Sequence, residues 1–540
     1  MRADYRMGYH VPTLTIGKVL AAKAESIGDR RFLTFAPDGR TYTFRDVHLL
    51  SNRLANGLRT RGIRKGSHVA VMMQNCPEQL LTYFALGKLG AVAVPINVAM
   101  RGTMLTYFLS QSDSSALVIQ GELLQQFLEI GRDVPLVSQV VVLGDESGIP
   151  AGAAGQSGAA FVSFADASSK DDTAPDVAVD FRDLAFIMYT SGTTGPSKGV
   201  MFGQARSLLA GLNNAEAFGF RHTDRSYVSL PLFHLNALQG SVYAAIVTEG
   251  EVVLAPRFSA SQFWGDIRKY GVTMFNMLGS MANILWSSPP SPDDTKHAVR
   301  MCLAMPMPPF ALEFEARFGL RMASGYGISD FASTVTYSIL DPVGKLGSAG
   351  RSRQGYELKI VDDNDFDVPA NLTGEIVLRS NYRWDTSTGY YKNPEATLAA
   401  WRNGWFHTGD RGYLDEDGYL YFADRKKDSI RRRGENVSAS EVEQIILKHP
   451  AVADTAVFAV SAEMSEDEVA AAVVLRPGMA LKEIELVEFC SLQMAAFMVP
   501  RYVLLLADLP RTETQKIEKG KLRSSAEADR SLLWDRLAPR

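Results

Sequence analysis

Short apolar runs alternate with amphipathic stretches early in the chain, and this alternation limits the folds that the sequence can adopt. Between Thr41 and Gln120 the spacing of apolar residues switches repeatedly between the period of a strand and that of a helix. The strand-like segments His68–Gln74 and Ala91–Ile96 enclose the helix-like segment Pro77–Gly90. Strands that alternate with helices form largely parallel sheets covered by helices. The pattern therefore predicts an α/β fold.

The pattern changes twice further along the chain. A second alternation of strand and helix runs from Phe181 to about Tyr337, whereas Gly347–Tyr421 contains short β-prone pieces separated by turn signals. The latter predicts a small antiparallel or barrel-like subdomain. The stretch Pro150–Asp180 is rich in Ala, Gly, Ser and Asp and predicts a surface loop or linker.

The chain is too long for a single domain. It has 540 residues, and one hydrophobic core rarely grows past ~250–300 residues. Beyond Asp424 a basic run leads into a segment whose Ser438-x-x-Glu441 spacing predicts a capping box at the start of a helix. We therefore predict an N-terminal domain over residues 1–424 and a separate C-terminal domain over residues 425–540.

Charge and cysteine content exclude several classes of partner. With 56 Lys and Arg against 60 Asp and Glu, the net charge of -4 creates no field that would attract nucleic acid or an anionic membrane. Cys76, Cys302 and Cys490 are too few and too far apart for a disulfide framework or a CxxC metal site. The first residues lack a signal peptide's apolar core, and no apolar run approaches the ~18–20 residues of a membrane span. We expect a cytoplasmic protein.

A loop rich in glycine and hydroxyl residues surrounds Lys198 and follows an apolar strand. Glycines let backbone N–H groups approach phosphate oxygens, hydroxyls donate hydrogen bonds, and a lysine supplies positive charge. A turn without a ligand is equally compatible with this composition. The P-loop of NTPases is excluded, because it requires glycine before the lysine and a hydroxyl residue after it, and Ser197 and Gly199 occupy these positions.

Four more motifs follow this loop. With SGTTGPSKG, they give five motifs in one order, the others being YGISD from Tyr326, HTGD from His407, DRKKDSIRRRGENVSASEVE from Asp424 and PRTETQKIEK from Pro510. Together these motifs resemble the adenylate-forming superfamily of acyl-CoA synthetases, adenylation domains and luciferases, over nearly the whole chain. The segments Ala93–Gly102 and Phe258–Asp294 are similar to crotonobetaine/carnitine–CoA ligases and their relatives.

The resemblance implies both a fold and a reaction. The fold would be a large N-terminal domain of two αβ subdomains plus a small β-barrel, with a small mobile α+β C-terminal lid domain. The reaction would convert a small carboxylic acid and ATP, with Mg²⁺, into an acyl-adenylate and pyrophosphate. The acyl group would then pass to the thiol of coenzyme A, releasing AMP. A homodimer is a reasonable default for a soluble enzyme.

The resemblance also implies roles for residues that bind ATP. The β- and γ-phosphates would be held by a flexible loop containing Thr190, Ser191, Gly192, Thr193, Thr194, Gly195 and Lys198. Tyr326 would stack on adenine, Ser329 would contact the α-phosphate, and Asp330 would help to hold Mg²⁺. Asp410 would accept hydrogen bonds from the ribose hydroxyls, and Arg425 would add a cationic donor.

The remaining implied roles concern catalysis, the acid and the thiol. Lys516 would offset charge as the acid attacks the α-phosphate, and His234 would form part of the acyl pocket wall. Lys427 would be the pivot of the lid, and the Gly434 loop would meet the pantetheine thiol. The run Arg431–Arg433 predicts either an ordinary exposed face or a docking patch for the phosphates of coenzyme A.

Several positions depart from the family pattern, which leaves alternatives open. Ser329 replaces threonine, Asp330 replaces glutamate, Gln515 replaces a glycine, and Ser197 separates Pro196 from Lys198. Aspartate is one methylene shorter than glutamate, so metal contact would need a shift or an intervening water, which would weaken activity. The alternatives are an adenylation enzyme that loads a carrier protein, a luciferase-type oxygenase, and a catalytically weakened nucleotide- or acyl-CoA-binding protein.

The sequence leaves the acid itself open. A carnitine-like betaine would need an aromatic or anionic lining for its quaternary ammonium, for which Phe233, Trp264 and Tyr337 are available. A fatty or aryl acid is equally compatible with the sequence.

Overall fold

The chain folds into two compact units. The computed structural model describes residues 5–144, 148–190, 196–425, 429–462, 466–510 and 517–538. The larger unit comprises Met1–Val98, Leu109–Met188 and Gly199–Asp424. The smaller unit comprises Ala99–Phe108, Tyr189–Lys198 and Arg425–Arg540, so it includes two short segments from the first 200 residues.

The first alternating region forms a seven-stranded sheet in the described part of the chain. The pairs described from Val92–Pro95 outward are parallel, as the alternation predicts. From one edge to the other, the strands are Lys198–Gly203, Leu184–Thr190, Val92–Pro95, His68–Met72, Ala116–Gln120, Gln139–Leu143 and Ala160–Ser163.

The second alternating region forms the parallel half of a larger sheet. Its strands run in the order Arg321–Ile328, Met301–Met305, Met274–Leu278, Arg225–Val228, Glu251–Leu254 and Arg31–Phe35, with Thr41–Thr43 added antiparallel. An antiparallel region, which begins before the predicted range Gly347–Tyr421, continues the same sheet beyond Arg321–Ile328. Its strands are Phe331–Tyr337, Gly350–Ser352, Tyr419–Arg425, Trp405–Leu414, Gly374–Ser380 and Tyr356–Val361, with Trp401–Arg402 paired to Trp405–Leu414. The α/β fold class is therefore confirmed.

Helices cover these sheets. Their bounds are Ile16–Ser26, Phe44–Thr60, Pro77–Leu89, Gly102–Gln111, Leu124–Leu128, Ala153–Ser157, Gln204–Phe218, Asn236–Tyr243 (a π-helix), Ala244–Thr248, Ala260–Lys269, Gly279–Trp286, Ala311–Phe318 and Pro394–Ala400. Almost every residue of Pro77–Leu89 is buried, as expected for a helix that is apolar on all sides. Its Tyr83 packs on Phe186 and its Phe84 on Tyr243.

The predicted linker Pro150–Asp180 is more ordered than expected. It contains the helix Ala153–Ser157 and the edge strand Ala160–Ser163, and its later part is tied to the helix Phe44–Thr60. Asn52 and Asn56 on that helix donate to the carbonyls of Asp172, Asp171 and Thr173. Side-chain amides therefore bond the loop backbone, which a composition rich in turn residues does not reveal.

The smaller unit has its own sheet and core. Its four-stranded sheet runs Val452–Ser461, Asp467–Leu475, Tyr502–Leu506 and Trp534–Asp535. The hairpin Ser429–Arg432 with Glu435–Ser438 and the helices Ala439–Ile446, Glu483–Gln493 and Lys519–Ala528 complete its described regular structure. Within the described ranges, no helix is both long and apolar enough to cross a membrane.

Candidate active site

Two of the predicted nucleotide-binding residues meet in the larger unit. The hydroxyl of Tyr326 donates a hydrogen bond to Oδ2 of Asp410 at 2.8 Å. Tyr326 lies near the end of the strand Arg321–Ile328, and Asp410 lies within Trp405–Leu414. Both side chains are buried. Residues from the YGISD and HTGD motifs, 84 positions apart in sequence, thus form one site.

The turn before Asp410 is supported by residues that the sequence did not indicate. Gly409 has a φ of 73°, and its N–H donates to Oε1 of the buried Glu375 at 3.1 Å. The other oxygen of Glu375 lies 3.3 Å from Nδ1 of His407, which also lies 2.8 Å from a nitrogen of Arg402. Of the supporting side chains Glu375, His407 and Arg402, His407 alone belongs to a predicted motif. The network fixes the backbone from which Asp410 projects.

Asp330 is buried, and both of its carboxylate oxygens accept hydrogen bonds. Ser387 donates to Oδ1 at 2.7 Å, and the hydroxyl of Tyr390 donates to Oδ2 at 3.3 Å. Burial, together with Asp330, raises the pKa of Tyr390, which keeps this donor protonated. A carboxylate oxygen carries two lone pairs, so it can accept a hydrogen bond and ligate a cation at the same time. The described residues form no group of three or more metal-ligating His, Cys, Asp or Glu side chains. Mg²⁺ is usually held by one or two carboxylates together with substrate phosphates and water, an arrangement that the carboxylate of Asp330 fits.

A buried arginine lies behind Ser329. Arg206 is 2% exposed, and its Nη2 donates to the carbonyl oxygen of Ser329 at 3.3 Å. Burial lowers the pKa of Arg206, while Asp385, Tyr356 and Asp330 act in the opposite direction. Its Nε and Nη1 make no hydrogen bond within the described residues. The sequence signal available for Arg206 was a charged residue on the buried face of the helix Gln204–Phe218.

His234, the predicted acyl-pocket residue, precedes the π-helix Asn236–Tyr243. The backbone N–H of His234 donates to the carbonyl of Pro231 at 3.0 Å, and the imidazole centroid lies 4.7 Å from the ring centroid of Phe233. Nearby, the amide of Asn276 donates to Asn236 at 2.5 Å and to Ser241 at 3.0 Å. Short π-helices recur at functional sites. His234 therefore lies against an aromatic ring and two residues before an asparagine whose side chain is hydrogen-bonded.

The three aromatic residues considered for a quaternary ammonium have separate surroundings. Trp264 stacks between His297 and Phe318, with centroid distances of 5.2 and 4.7 Å. Tyr337 is buried and donates to the carbonyl of Pro342 at 3.3 Å. These contacts bring neither of them together with Phe233, so they provide no support for an aromatic cage built from the three.

In the smaller unit the predicted phosphate loop is described only at its ends. Thr190 closes the strand Leu184–Thr190, and Lys198 opens Lys198–Gly203. The N–H of Ser197 donates to Oε1 of Glu441, and the carbonyl of Ser197 accepts from the hydroxyl of Tyr107. The predicted residues Ser191, Gly192, Thr193, Thr194 and Gly195 lie outside the described residues, as do Lys427 and Lys516. For Arg425 the backbone alone is described, at the end of Tyr419–Arg425.

The arginine run Arg431–Arg433 is split between interior and surface. Arg432 is 1% exposed, its Nη1 donates to the carbonyls of Phe497 and Val499, and its Nε lies 2.5 Å from Glu468. Burial lowers the pKa of Arg432 to about 10, with Glu468 acting in the opposite direction. The prediction that all three arginines share one exposed face or docking patch is therefore wrong, because the second one is a buried ion-pair partner.

The Gly434 loop is a two-residue hairpin turn. Arg433 and Gly434 have φ values of 53° and 79°, as expected for a type I′ turn. The N–H of Gly434 donates to Glu466 at 3.1 Å, and Arg433 is exposed. Burial and the neighbouring charge of Arg433 both lower the pKa of Arg536. Glu468 and Asp535 act on the pKa of Arg536 in the opposite direction, so the two cationic groups stand near each other with carboxylates close to Arg536.

The cysteines offer no reactive thiolate. Cys76, Cys302 and Cys490 are buried, and burial raises the pKa of all three, to about 12 for Cys76 and Cys490. Reactive cysteines are instead partly exposed and near positive charge. The arrangement therefore offers no thiolate nucleophile.

Sequence and structure comparisons place these features in a wider context. The family profile described as AMP-binding enzyme matches residues 20–391, and the profile for the AMP-binding enzyme C-terminal domain matches residues 441–516. A crotonobetaine/carnitine–CoA ligase of Salmonella paratyphi A is 34% identical over 93% of this chain and 97% of its own length.

Solved structures agree with the sequence relatives. The o-succinylbenzoate–CoA synthetase of Bacillus subtilis, bound to a product analogue, has a TM-score of 0.80 and 26% identity, over 95% of this chain and 98% of its own. A fatty acyl-CoA synthetase of Mycobacterium tuberculosis has a TM-score of 0.67 and 28% identity, over 95% and 98% of the two chains. The division into a large N-terminal and a small C-terminal part is thus common to the chain and these structures.

Proposed function

Because the chain belongs to the AMP-binding enzyme family and is an ATP-dependent acyl-CoA ligase, we propose that its motifs carry out adenylation and thioester formation in succession. In the first step a small carboxylic acid forms an acyl-adenylate and pyrophosphate from ATP. In the second step the acyl group passes to the thiol of coenzyme A, and AMP leaves. The observation that best supports this assignment is the contact between Tyr326 and Asp410, which brings two of the predicted nucleotide-binding motifs together.

In adenylation, a carboxylate oxygen of the acid bonds to the α-phosphorus as the bond from that phosphorus to pyrophosphate breaks. Tyr326 stacks on adenine, and the carboxylate of Asp410 accepts hydrogen bonds from the ribose hydroxyls. Ser329 donates to the α-phosphate, while Thr190 to Lys198, Arg425 and Lys516 offset the developing negative charge. Mg²⁺, bound by Asp330 and the phosphates, would supply further charge neutralisation.

In thioester formation, the coenzyme A sulfur bonds to the acyl carbon as the bond to AMP breaks. Rotation about Lys427 would bring the Gly434 loop to the pantetheine thiol and exclude water, which would otherwise hydrolyse the adenylate. Glycine suits a position that closely borders a thiol-bearing arm, since it carries no side chain. The domain boundary at residue 424, the homodimer and the cytoplasmic location remain predictions.

We propose that Arg433 and Arg536, rather than the whole run Arg431–Arg433, contact a phosphate of coenzyme A. Arg433 lies beside Gly434, and the two guanidinium groups lower the cost of bringing a dianion to this surface. Changing either residue to serine is expected to raise the KM for coenzyme A about tenfold, as for loss of a hydrogen bond to a charged group. Steady-state kinetics with coenzyme A and dephospho-coenzyme A would measure this effect.

The matched control for that experiment is Arg523→Ser. Arg523 is exposed in the same unit, where it pairs with Glu527, and its loss should leave the KM unchanged. If the 3′-phosphate is the partner, wild type and variants converge with dephospho-coenzyme A. An unchanged KM for coenzyme A in both arginine variants would remove the proposed contact.

The acyl group is proposed to lie beside His234 in a pocket that accepts a small acid. The relatives named crotonobetaine/carnitine–CoA ligase make a betaine one candidate, and fatty or aryl acids remain the others. The amides of Asn236 and Asn276 next to the π-helix favour an acid with a polar group in its acyl part. His234 acts here as pocket wall rather than as a general base.

Pyrophosphate release across a panel of acids would test the proposed function. Short, medium and long fatty acids, aryl acids, carnitine and crotonobetaine would each be supplied with Mg·ATP, with and without coenzyme A. We expect release with one class of acid, accompanied by an acyl-CoA product. Release that needs a carrier protein would favour the carrier-loading alternative, and ATP binding without any release would favour the weakened binder suggested by Ser329, Asp330 and Gln515.

A further inference from the structure

The backbone of Ser197 is held from both sides by side chains of the smaller unit. Its N–H donates to Oε1 of Glu441 at 2.5 Å, and its carbonyl oxygen accepts a hydrogen bond from the hydroxyl of Tyr107 at 2.8 Å. Ser197 and Glu441 are each 5% exposed. Since Ser197 directly precedes Lys198, these two contacts fix one end of the predicted phosphate loop.

Glu441 belongs to the predicted capping box, and its side chain makes a contact far from that box in sequence. The helix Ala439–Ile446 begins after Ser438, whose hydroxyl accepts from the N–H of Glu441 at 3.4 Å, as the sequence predicts. In a full capping box the glutamate would bond back to the N–H of the capping residue. Here its described hydrogen bond goes to Ser197, 244 positions earlier in the chain. A glutamate that the local pattern assigns to helix capping is therefore used for a long-range contact.

The surroundings of Glu441 make its charge state matter. Burial raises the pKa of Glu441, while the hydroxyl and N–H of Ser197 act in the opposite direction. Burial and Glu441 together raise the pKa of Tyr107 to about 12, so this hydroxyl stays protonated and continues to donate. The next acidic residue of the helix, Glu443, accepts from Val457 and pairs with Lys519.

We propose that Glu441 and Tyr107 are positioning residues that hold the Lys198 end of the phosphate loop in place for the polyphosphate of ATP. The inference rests on the proposed function, because it takes this loop as the phosphate-binding element. A bond from a backbone N–H to a carboxylate is charge-assisted and shorter than a neutral one. Without this hydrogen bond, ATP itself must order the loop end when it binds, and this cost lowers the affinity for ATP.

Calorimetric titration of the intact protein with Mg·ATP tests this proposal without any knowledge of the acid. Glu441→Ala is expected to weaken ATP binding about tenfold, and Tyr107→Phe about threefold, in line with the loss of a charged and a neutral hydrogen bond. The double variant should weaken binding by less than the product of the two, because both contacts order the same residue. Ser438→Ala is the control: it removes the cap of the same helix, so it should lower the Tm and leave ATP affinity unchanged.

The pH dependence separates positioning from mere loss of helix stability. In the wild type, ATP binding should weaken as pH falls through the raised pKa of Glu441, because protonation removes the charge from the contact with Ser197. Glu441→Gln keeps an acceptor oxygen but does not titrate, so this part of the pH dependence should disappear. Helix destabilisation alone would leave the pH profile as in the wild type.

Wild-type ATP affinity in folded Glu441→Ala and Tyr107→Phe proteins would overturn the proposal. If Glu441→Ala does not fold, Tyr107→Phe and the pH profile of Glu441→Gln decide the matter. A wild type that binds ATP but releases no pyrophosphate with any acid would refute the proposed function and leave this inference standing. Pyrophosphate release by the wild type, together with unaltered ATP binding in the variants, would support the proposed function and overturn this inference.

Discussion

Changing Lys516 to alanine is expected to slow acyl-adenylate formation by about 10³-fold, the scale seen when one preorganised group that stabilises developing charge is removed. The lysine is proposed to neutralise charge only while the acid attacks the α-phosphate. Transfer of the acyl group from a preformed adenylate to coenzyme A should therefore be nearly unaffected. Single-turnover measurements of pyrophosphate release and of acyl-CoA formation from the synthetic adenylate would separate the two steps.

Lys521→Ala is the matched control for this experiment. Lys521 is an exposed lysine five residues further on, where it pairs with Glu518, and its loss should change neither step. Equal slowing of both steps in Lys516→Ala would indicate a general disturbance of the smaller unit. An adenylation rate within about threefold of the wild type would exclude the catalytic role, since the expected loss is about 4 kcal/mol of transition-state stabilisation.

Changing Arg432 to alanine is expected to destabilise the smaller unit by about 3–5 kcal/mol, the usual cost of removing one partner of a buried ion pair. Glu468 would lose its partner at 2.5 Å and keep the longer contact with Arg501 at 3.4 Å, and the carbonyls of Phe497 and Val499 would lose their donor. Urea denaturation of the intact protein, with hydrogen exchange of the hairpin residues 429–438, would measure the effect. Exchange is needed because a protein with two units does not unfold in one cooperative step.

Two variants distinguish the buried ion pair from the neighbouring exposed charge. Arg433→Ser changes the adjacent exposed arginine and should alter stability by less than about 0.5 kcal/mol, as surface substitutions usually do. The double change Arg432→Met with Glu468→Leu removes both charges and should recover much of the stability lost in Arg432→Ala. A loss below about 1 kcal/mol in Arg432→Ala would contradict the structural role assigned here.

Much of the fold follows from sequence periodicity, because burial on one or both faces dictates where apolar residues recur. The strands His68–Met72 and Val92–Pro95 and the helix Pro77–Leu89 fall within the predicted segments. The order of the strands within each sheet cannot be predicted from periodicity, since it depends on contacts between residues that are far apart in sequence. The inclusion of Ala99–Phe108 and Tyr189–Lys198 in the smaller unit is a similar long-range property.

The candidate site shows the same division between local and long-range information. Tyr326 and Asp410 were assigned by resemblance, and each would be an ordinary turn or strand residue on local pattern alone. Glu375 escaped prediction because a carboxylate on an antiparallel strand is usually solvated, whereas here it supports the turn at Gly409. The prediction for Arg431–Arg433 failed because a strand directs the neighbouring side chains of Arg431 and Arg432 to opposite faces, while Arg433 lies in the turn that follows. Equal charges in sequence therefore do not share an environment.

The strand Arg321–Ile328 connects the two halves of the larger sheet. Its first residues pair in parallel with Met301–Met305, and its later residues pair antiparallel with Phe331–Tyr337. The same strand carries Tyr326 and leads directly to Ser329 and Asp330. Attempts to re-engineer this ligase for a new acid by transplanting segments around the acyl pocket would therefore have to preserve the register of this strand, because a shift of one residue would turn Tyr326 away from Asp410.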